Sequence, residues 1–419
     1  MRPFSYLRPC MAKPLNFPLF ISRRIRAHAP GRFSSTIQRI AVGSIAVSVG
    51  VILVSVFILR GFRSTIENKI FSLAAHILVT QYANTNSYDE NPISINNDLY
   101  LNPENFDGVA QVHPFSNKAG LLKTDEEVQG VFLKGVNSAF DTAAFAQNMV
   151  NGRFLHWQPE GPSLEIVISE KLAKLLRISV EDRVALYFVQ NPPRVRRVTV
   201  VGIYNTYLED FDDRLILGDL AMIQQLNGWS DTLVGGFEVH LNDFDRLDEG
   251  IESVLAKTET NLSVRRVTDR YPQLFDWLDL VDTNEKLVSW IVLIVVGLNM
   301  VSILLILIME RTGMIGLLKA LGSSSYEIGS IFLYNAQWLI LRGLLWGNVL
   351  GLGFAALQYY FRIIPLDPEN YYMPYVPIQW EWWALIKINL GVIAIVNVVL
   401  LIPVLIVNRI HPVRSLRFH

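Results

Sequence analysis

Residues 40–59 read IAVGSIAVSVGVILVSVFIL, twenty consecutive residues without a charged side chain. A helix of this length spans about 30 Å, the thickness of the hydrocarbon core of a bilayer. Three further apolar runs, which carry only Arg342 and Lys387 as charges, follow at 287–309, 328–361 and 383–407. One such run is compatible with a buried helix of a soluble protein, but four predict a polytopic α-helical membrane protein with four transmembrane helices.

The charges are sorted along the chain, although the formal net charge is only −1. Residues 1–61 carry nine Lys/Arg and no Asp/Glu, whereas residues 62–286 carry 20 Lys/Arg and 33 Asp/Glu. The basic residues that flank the outer ends of this series of spans are Arg23, Arg24, Arg26, Arg32, Arg39, Arg409, Arg414 and Arg417. Because cytoplasmic flanks are rich in Lys and Arg, we expect both termini to be cytoplasmic.

This orientation predicts a fixed order of segments with one large domain outside the cytoplasm. That domain is expected between the first and second spans. The segments are a cytoplasmic N-terminal segment (1–39), a first transmembrane helix (40–59), an extracytoplasmic domain (60–286), a second transmembrane helix (287–309), a cytoplasmic loop (310–327), a third transmembrane helix (328–361), an outer loop (362–382), a fourth transmembrane helix (383–407) and a cytoplasmic tail (408–419).

The extracytoplasmic domain has a mixed α+β pattern. Short β-branched stretches predict strands at 76–82, 128–134, 164–168, 183–189, 195–203 and 236–241. Helices are expected at 169–177, 219–227, 244–257 and 273–286, the last of which runs into the second span. Residues 84–108 are rich in Asn, Asp, Pro and Ser, which favours an irregular connection.

Few residues suggest catalysis or metal binding. The dipeptide Gly-Lys is absent, so the chain lacks the loop that cradles nucleotide phosphates, and it has no HExxH or GxSxG motif. The single cysteine, Cys10, excludes a disulfide within the chain. Two features remain as weak candidates, for which we favour a solvated loop and isolated structural histidines: the acidic cluster Glu209, Asp210, Asp212 and Asp213, and the pair His76 and His113.

The loop 310–322 (ERTGMIGLLKALG) is the most informative part of the chain. Four large apolar side chains recur there at i, i+3, i+4 and i+7, which places them on one face of a short helix: Met314, Leu317, Leu318 and Leu321. Gly322 suits the C-terminal end of this helix, and Ser324 with Glu327 matches a capping box for the next one. A helix of this kind either lies among lipid headgroups or docks in a groove on a cytoplasmic partner.

Small residues at a spacing of four predict close helix packing, within one chain or between two copies. They are Ser44 and Ser48, Ala46 and Gly50, and the ladder Gly343, Gly347 and Gly351. Asn299 and Asn397 are candidates for hydrogen bonds between spans, and Arg342 is expected near the membrane interface, with the protein interior or a partner as alternatives.

These segments resemble the permeases of lipoprotein-releasing ABC transporters, within the wider group that shares the macrolide-exporter and FtsX-like architecture. The layout of one span, a large outer domain and three spans is the same, and 310–322 is similar to the coupling-helix motif E-[KR]-T-x-E-I-x-[IL]-L-[KR]-A-[LM]-G. Segments similar to the lipoprotein-releasing branch are 18–26, 61–82, 152–186 and the tail 408–417. In that branch Gly61-Phe62 follows the first span and a His-Ile-x-Val motif, here starting at His76, opens the outer domain.

The resemblance implies a permease in the bacterial inner membrane, with a periplasmic outer domain, that releases lipoproteins. It implies as partners an ABC ATPase dimer, which binds ATP and Mg²⁺, a second permease subunit, lipoprotein cargo, membrane lipid and a periplasmic carrier chaperone; this chain is expected to hold no cofactor and to bind no nucleic acid. Residues expected to couple to the ATPase are Glu310, Arg311, Gly313, Met314, Ile315, Leu317, Leu318, Lys319, Leu321 and Gly322. Residues expected to face lipid or lipoprotein are Ile52, Val56, Phe57, Val288, Ile291 and Val295.

Two positions depart from the family pattern. Met314 stands where the motif has Glu, so a charged contact to the ATPase is missing there, and the connection near Gln190–Arg194 is shorter than the hairpin that recruits the chaperone in other members. The chaperone is therefore expected as a partner of this subunit or of a paired permease. Two alternatives remain open: an exporter or cell-wall-hydrolase regulator of the same architecture, and a membrane-anchored sensor or adhesion protein.

Overall fold

A computed structural model describes residues 17–27, 32–82, 90–124, 127–158, 161–188, 190 and 192–408. The predictions that concern Cys10 and the basic tail at Arg409, Arg414 and Arg417 lie outside these residues. Within them the helices are α1 (Phe17–Ala27), α2 (Arg32–Leu73), α3 (Asp98–Leu101), α4 (Thr142–Ala146), α5 (Glu170–Leu176), α6 (Glu209–Asp212), α7 (Leu220–Asn227), α8 (Leu247–Lys257), α9 (Val267–Arg270), α10 (Pro272–Glu310), α11 (Thr312–Ala320), α12 (Ser325–Phe361), α13 (Pro368–Tyr371) and α14 (Trp382–Asn408).

Four of these helices, α2, α10, α12 and α14, are long and apolar enough to cross a membrane, which confirms the predicted number of spans. Three of them extend well beyond the apolar runs: α2 has 42 residues, α10 has 39 and α12 has 37. The segments 60–73 and 272–286 are polar, yet they continue the helices of the first and second spans. The expected helix at 273–286 that runs into the second span is therefore confirmed.

The described chain divides into two compact units. The first contains residues up to Phe62, Leu280–Ile364 and the chain from Val376 onward, and the second contains Arg63–Asp279 and Pro365–Tyr375. Part of the loop predicted at 362–382 thus belongs to the second unit, in which Pro365 pairs with Tyr375.

The first unit is a helical bundle with one continuous apolar core. Side chains from α2, α10, α11, α12 and α14 meet in this core, among them Val49, Met300, Ile315, Phe332 and Val396. A bundle whose outer surface is also apolar is what a bilayer requires, because lipid offers no penalty to exposed hydrocarbon.

The second unit is a mixed α+β domain, as predicted. Its strands are β1 (Ile77–Gln81), β2 (Ile93–Ser94), β3 (Val109–Lys123), β4 (Val128–Val136), β5 (Met149–Gly152), β6 (Glu165–Ser169), β7 (Arg183–Phe188), β8 (Arg194–Tyr204), β9 (Leu215–Asp219), β10 (Leu233–Val234), β11 (Gly236–Leu241) and β12 (Leu262–Arg266). Ten of them form one sheet in the order β12-β1-β11-β3-β4-β9-β6-β8-β5, with β7 paired to β3 and β8, while β2 and β10 pair separately.

All six predicted strands are present, and the caps of two predicted helices are those expected. Ser169 accepts a hydrogen bond from the Leu172 N–H at the start of α5, and Asp219 accepts one from the Ala221 N–H at the start of α7. Two apolar cores cover the sheet, one around β6, β8, α5 and α7 and the other around β1, β11 and α8. The sequence analysis missed the longest strand, β3, which pairs with β4, β7 and β11.

The packing of the glycine ladder generates a prediction for the bundle. A Cβ placed on Gly347 would lie 2.7 Å from the Val49 Cβ and 2.9 Å from the Ala46 carbonyl oxygen, whereas one placed on Gly353 meets nothing within 4 Å. We therefore expect Gly347→Val to push α2 and α12 apart and to lower the thermal unfolding midpoint of the purified protein by several degrees. Gly353→Val is the matched control on the same helix, and equal midpoints for the two variants would contradict the packing.

Candidate functional site

The helix α11 is the short segment between the second and third spans, and its ends are fixed by local hydrogen bonds. Gly322 takes φ +93°, a left-handed conformation that ends the helix, as predicted. The capping box is also confirmed: the Glu327 N–H donates to Ser324 Oγ at 3.2 Å, and the Ser324 N–H donates to the Glu327 carboxylate at 2.8 Å. These contacts hold α11 at a sharp turn into α12.

The apolar residues of α11 are divided between a side that packs on the bundle and a side that is exposed. Ile315 is fully buried in the bundle core, and Met314 and Leu318 pack against the same core. Leu317 is 55% exposed and Leu321 is 75% exposed. Met314, Leu317, Leu318 and Leu321 share one face by their spacing, and the bundle covers only the edge that carries Met314 and Leu318, which leaves Leu317 and Leu321 exposed at the other edge.

The exposed side of α11 is mainly apolar. Gly313, Leu317, Ala320 and Leu321 line it, and Met309 and Tyr326 continue it on the neighbouring helices. Of the other residues assigned to coupling, Glu310 and Gly322 are exposed and Arg311 and Lys319 are half-buried, while Ile315 lies inside the bundle. An exposed apolar side on a short helix is a surface that suits a partner or a lipid layer.

The six residues predicted to face lipid or lipoprotein are exposed on α10 and buried on α2. On α10, Val288, Ile291 and Val295 are exposed, together with Leu287, Trp290, Ile294 and Leu298. On α2, Ile52, Val56 and Phe57 are buried, which corrects the prediction for this helix. Ile52 and Val56 pack with Ala384 of α14, and the Phe57 ring lies 5.8 Å from the Trp380 ring.

The small residues predicted to pack helices bring α2 against α12. Gly343, Gly347 and Gly351 lie opposite Ile45, Val49 and Leu53. A Cβ would lie 2.5 Å from Ile45 at the first and 2.7 Å from Val49 at the second, too close for a side chain, and 3.1 Å from Leu53 at the third, which is a tight contact. Ser44 accepts a hydrogen bond from Asn299 Nδ2 at 2.7 Å, which joins α2 to α10, and Ser48 is half-buried.

Amide side chains join α12 to α14 in the same unit. Gln337 donates to Asn397, as expected for Asn397, and Asn348 and Asn389 exchange two hydrogen bonds of 2.9 and 3.0 Å. The sequence analysis missed the second pair, although an asparagine inside an apolar run is a signal for such a bond.

The structure explains why residue 61 is a glycine. A Cβ at this position would lie 2.9 Å from both the Pro377 carbonyl oxygen and the Gln379 nitrogen, and the Gln379 N–H donates to the Phe57 carbonyl oxygen at 3.1 Å. The motif Gly61-Phe62 therefore lets the segment before α14 approach the backbone of α2 closely.

Two lysines fix the C-terminal end of α2 in the α+β domain. Lys134 donates to the Leu73 carbonyl oxygen at 2.5 Å and to Glu238 at 2.6 Å, and both charged groups are buried. Lys69 donates to the carbonyl oxygens of Thr206 and Tyr372 at 2.8 and 2.6 Å. Free carbonyl groups at the end of a helix favour a cation, and here the Leu73 carbonyl binds Lys134. Lys134 and Lys69 together link α2 to three loops or strands of the domain.

The histidines of the domain are not isolated, which corrects that prediction. His240 lies between His76 and His113, with ring centroids 5.7 and 5.2 Å away. His76 Nδ1 accepts a hydrogen bond from the Leu241 N–H at 2.8 Å, so its role is structural. Burial is the main cause that lowers the pKa of His76 and of His240 to about 4, and the neighbouring histidine adds to it.

The acidic cluster is only partly a solvated loop. Asp212 is buried and accepts a hydrogen bond of 2.8 Å from the Thr206 hydroxyl, and burial raises the pKa of its carboxyl group. Asp213 is paired with Lys171 at 2.5 Å. Within the described part of the chain no group of His, Cys, Asp and Glu is arranged to hold a metal ion.

Comparison with known families matches two models. Residues 40–257 match the MacB-like periplasmic core domain, and residues 286–412 match the FtsX-like permease C-terminal domain. The boundary between these matches falls close to the start of α10.

Curated relatives match over most of the chain at low identity. The lipoprotein-releasing system transmembrane protein LolC of Neisseria meningitidis is 22% identical over 85% of this chain and 88% of its own length. LolC of Xylella fastidiosa is 22% identical over 97% of this chain and 100% of its own length. LolE of Haemophilus influenzae is 21% identical over the same shares.

One solved structure with a partial match is the periplasmic region of MacB from Actinobacillus actinomycetemcomitans. It is 12% identical, covers 49% of this chain and 95% of its own chain, and has a TM-score of 0.33.

The histidine cluster predicts a dependence of stability on pH. The folded domain keeps His76 and His240 neutral down to about pH 4, whereas the unfolded chain takes up these protons near pH 6.5. The free energy of unfolding should therefore fall as the pH drops from about 6.5 to 4, by at most about 3 kcal/mol for each histidine, and should not depend on them above pH 7. The measurement is the thermal unfolding midpoint of the full-length protein between pH 4.5 and 7.5.

The variant His240→Phe keeps an aromatic ring and should lose part of this acid sensitivity. Exposed His156→Phe is the control and should behave as the wild type does. Burial raises the pKa of Glu90 to about 7, so protonation of Glu90 stabilises the folded protein as the pH falls, which is opposite to the effect of the histidines. The test is therefore the difference between the variants and the wild type. A difference between His240→Phe and wild type that is equal at pH 5 and pH 7 would contradict the prediction.

Proposed function

Because the chain belongs to the family of the MacB-like periplasmic core domain, followed here by an FtsX-like permease C-terminal domain, we propose that it extracts lipoproteins from the inner membrane for transfer toward the outer membrane. It is an ABC transporter permease of the Lol and MacB type with an ATPase partner. In the proposed assembly, two permease subunits stand on two copies of the ATPase, which bind ATP and Mg²⁺.

The proposed orientation places both termini and α11 in the cytoplasm. Arg23, Arg24 and Arg39 lie before the apolar part of α2, and such flanks stay on the cytoplasmic side. The α+β domain is then periplasmic, where a carrier chaperone receives the cargo from this subunit or from its paired permease.

The single observation that carries the proposal is the two-sided character of α11. Leu317 and Leu321 are exposed and apolar, so they can fill a groove on the ATPase. On the opposite side, Ile315 and Leu318 are packed into the bundle core. A push on the exposed side would therefore be delivered to an apolar core that these side chains share with residues of α2, α10 and α12.

The exposed side of α10 is the proposed surface for cargo. Val288, Ile291 and Val295 are apolar and uncovered, so they can contact the acyl chains of a lipoprotein or the second permease subunit. The buried positions Ile52, Val56 and Phe57 are left out of this surface. Acyl chains bind through the burial of apolar surface, and a stripe of large aliphatic side chains provides such a surface.

The coupling proposal predicts the effect of charges on the exposed side of α11. The double variant Leu317→Lys/Leu321→Lys should reduce lipoprotein release at least tenfold, because lysines would be buried without partners in the ATPase groove. The measurement is release from proteoliposomes that contain the full transporter, together with the ATPase that remains bound on purification. Unchanged release and unchanged binding would contradict the docking of α11.

A matched control is Leu255→Lys on α8, which also replaces an exposed leucine but lies in the α+β domain. It should leave ATPase binding intact. Ile315→Lys is expected to behave differently from both, since it disrupts the bundle core and lowers the thermal unfolding midpoint.

The cargo proposal predicts the products of photo-crosslinking in cells. A photoreactive amino acid at Ile291 should form adducts with lipoproteins, whereas the same group at Leu401, which is exposed on α14, should react with lipid only. An exporter of small molecules or a regulator of cell-wall hydrolases predicts no lipoprotein adduct at either position. Equal lipoprotein adducts at both positions would contradict the assignment of α10 as the cargo surface.

A further inference from the structure

A groove of the helical bundle lies among α1, α2 and α12 and has a volume of about 1200 Å³. Three guanidinium groups line it, those of Arg23, Arg39 and Arg342, each from a different helix. No carboxylate is found among the described residues that line this groove. The groove therefore collects positive charge without an acidic residue in its own wall, which favours an anionic ligand.

The position of the arginines along the helices sets the depth of the groove. Arg39 comes directly before the apolar run of α2, and Arg342 comes directly before Gly343, which packs on Ile45. Arg342 thus lies near the level of Ile45, six positions after Arg39, or about 9 Å farther along α2. This is the depth at which a long cationic side chain reaches the phosphate layer of a membrane.

The rest of the groove is lined mainly by aromatic and aliphatic residues, together with Gln38 and Gln337. The guanidinium of Arg342 stacks over the Trp338 ring at 3.6 Å, which keeps its charge in place beside the apolar wall. Val47, Trp346 and Leu350 line the part of the groove farther along α2 and α12. A ligand that fits must therefore carry a negative group at one end and hydrocarbon at the other.

We propose that this groove binds the headgroup of an anionic phospholipid from the cytoplasmic leaflet, with an acyl chain along Val47 and Leu350. The assignment of the leaflet rests on the proposed orientation of the termini. An anionic lipid is favoured over a zwitterionic one because three arginines line the groove and no acidic residue of the described wall balances them. The bound lipid would join α1 to the α2–α12 pair that holds the glycine ladder.

The test uses the full-length protein, delipidated in detergent and titrated with phosphatidylglycerol or phosphatidylethanolamine, with bound lipids counted by native mass spectrometry. Wild-type protein should retain phosphatidylglycerol at least tenfold better than phosphatidylethanolamine. The double variant Arg39→Gln/Arg342→Gln should lose this preference, and Lys387→Gln, which removes a charge from α14 outside the groove, should keep it. Equal retention of phosphatidylglycerol by the double variant would overturn the proposal.

A second measurement avoids variants that fail to fold. Retention of phosphatidylglycerol by the wild type should weaken as NaCl is raised, because salt screens contacts with exposed arginines. Salt-independent retention, or displacement of the lipid by millimolar inorganic phosphate that stabilises the protein equally well, would overturn the lipid assignment. Crosslinking of lipoproteins at Ile291 is an independent readout, so a failure here is distinguishable from a failure of the proposed function.

Discussion

The unbroken backbone of α2 and α10 is the constraint on which the rest of the structure depends. Inside lipid a peptide group has no water to bind, so a break in either helix would leave unsatisfied groups that cost several kcal/mol each. Both helices also continue, without a change of secondary structure, into the polar extensions Arg63–Leu73 and Pro272–Asp279, which belong to the α+β unit.

The end of α2 is held in the α+β domain by buried polar contacts. The carbonyl of Leu73 at the end of α2 receives the ammonium group of Lys134, whose charge is balanced by Glu238. Removing either member of such a pair would leave the other charge buried alone, so the pair fixes one position for the helix end. Lys69 adds a second attachment to the backbone of Tyr372, in a loop that precedes α14. His76 lies beside this end, where its Nδ1 accepts a hydrogen bond from the Leu241 N–H.

The sequence predicted the membrane helices, six strands, the capping box at Ser324 and the C-terminal glycine of α11, because each has a local cause. It did not predict β3, since Pro114, Lys118 and Gly120 interrupt its alternation and its pairing comes from strands far away in the chain. The burial of Ile52 and Val56 could not be predicted either. In a membrane helix, apolar side chains occur both where the helix faces lipid and where it faces another helix, so the sequence pattern does not distinguish the two. The histidine cluster was missed for a related reason. His76, His113 and His240 are far apart in the chain, and the pairing of β11 with β1 and β3 brings them together.

The two-sided packing of α11 also explains the most evident departure from the family motif. A carboxylate at 314 would sit at the edge of the bundle core, where Met314 now packs with Ile315 and Leu318 against apolar side chains. Methionine is flexible and apolar, so it adds contact with the core at the position where the motif has a charge. Leu317 and Leu321 beside it remain exposed. Attachment to the bundle and the surface left for a partner therefore involve different residues of this short segment.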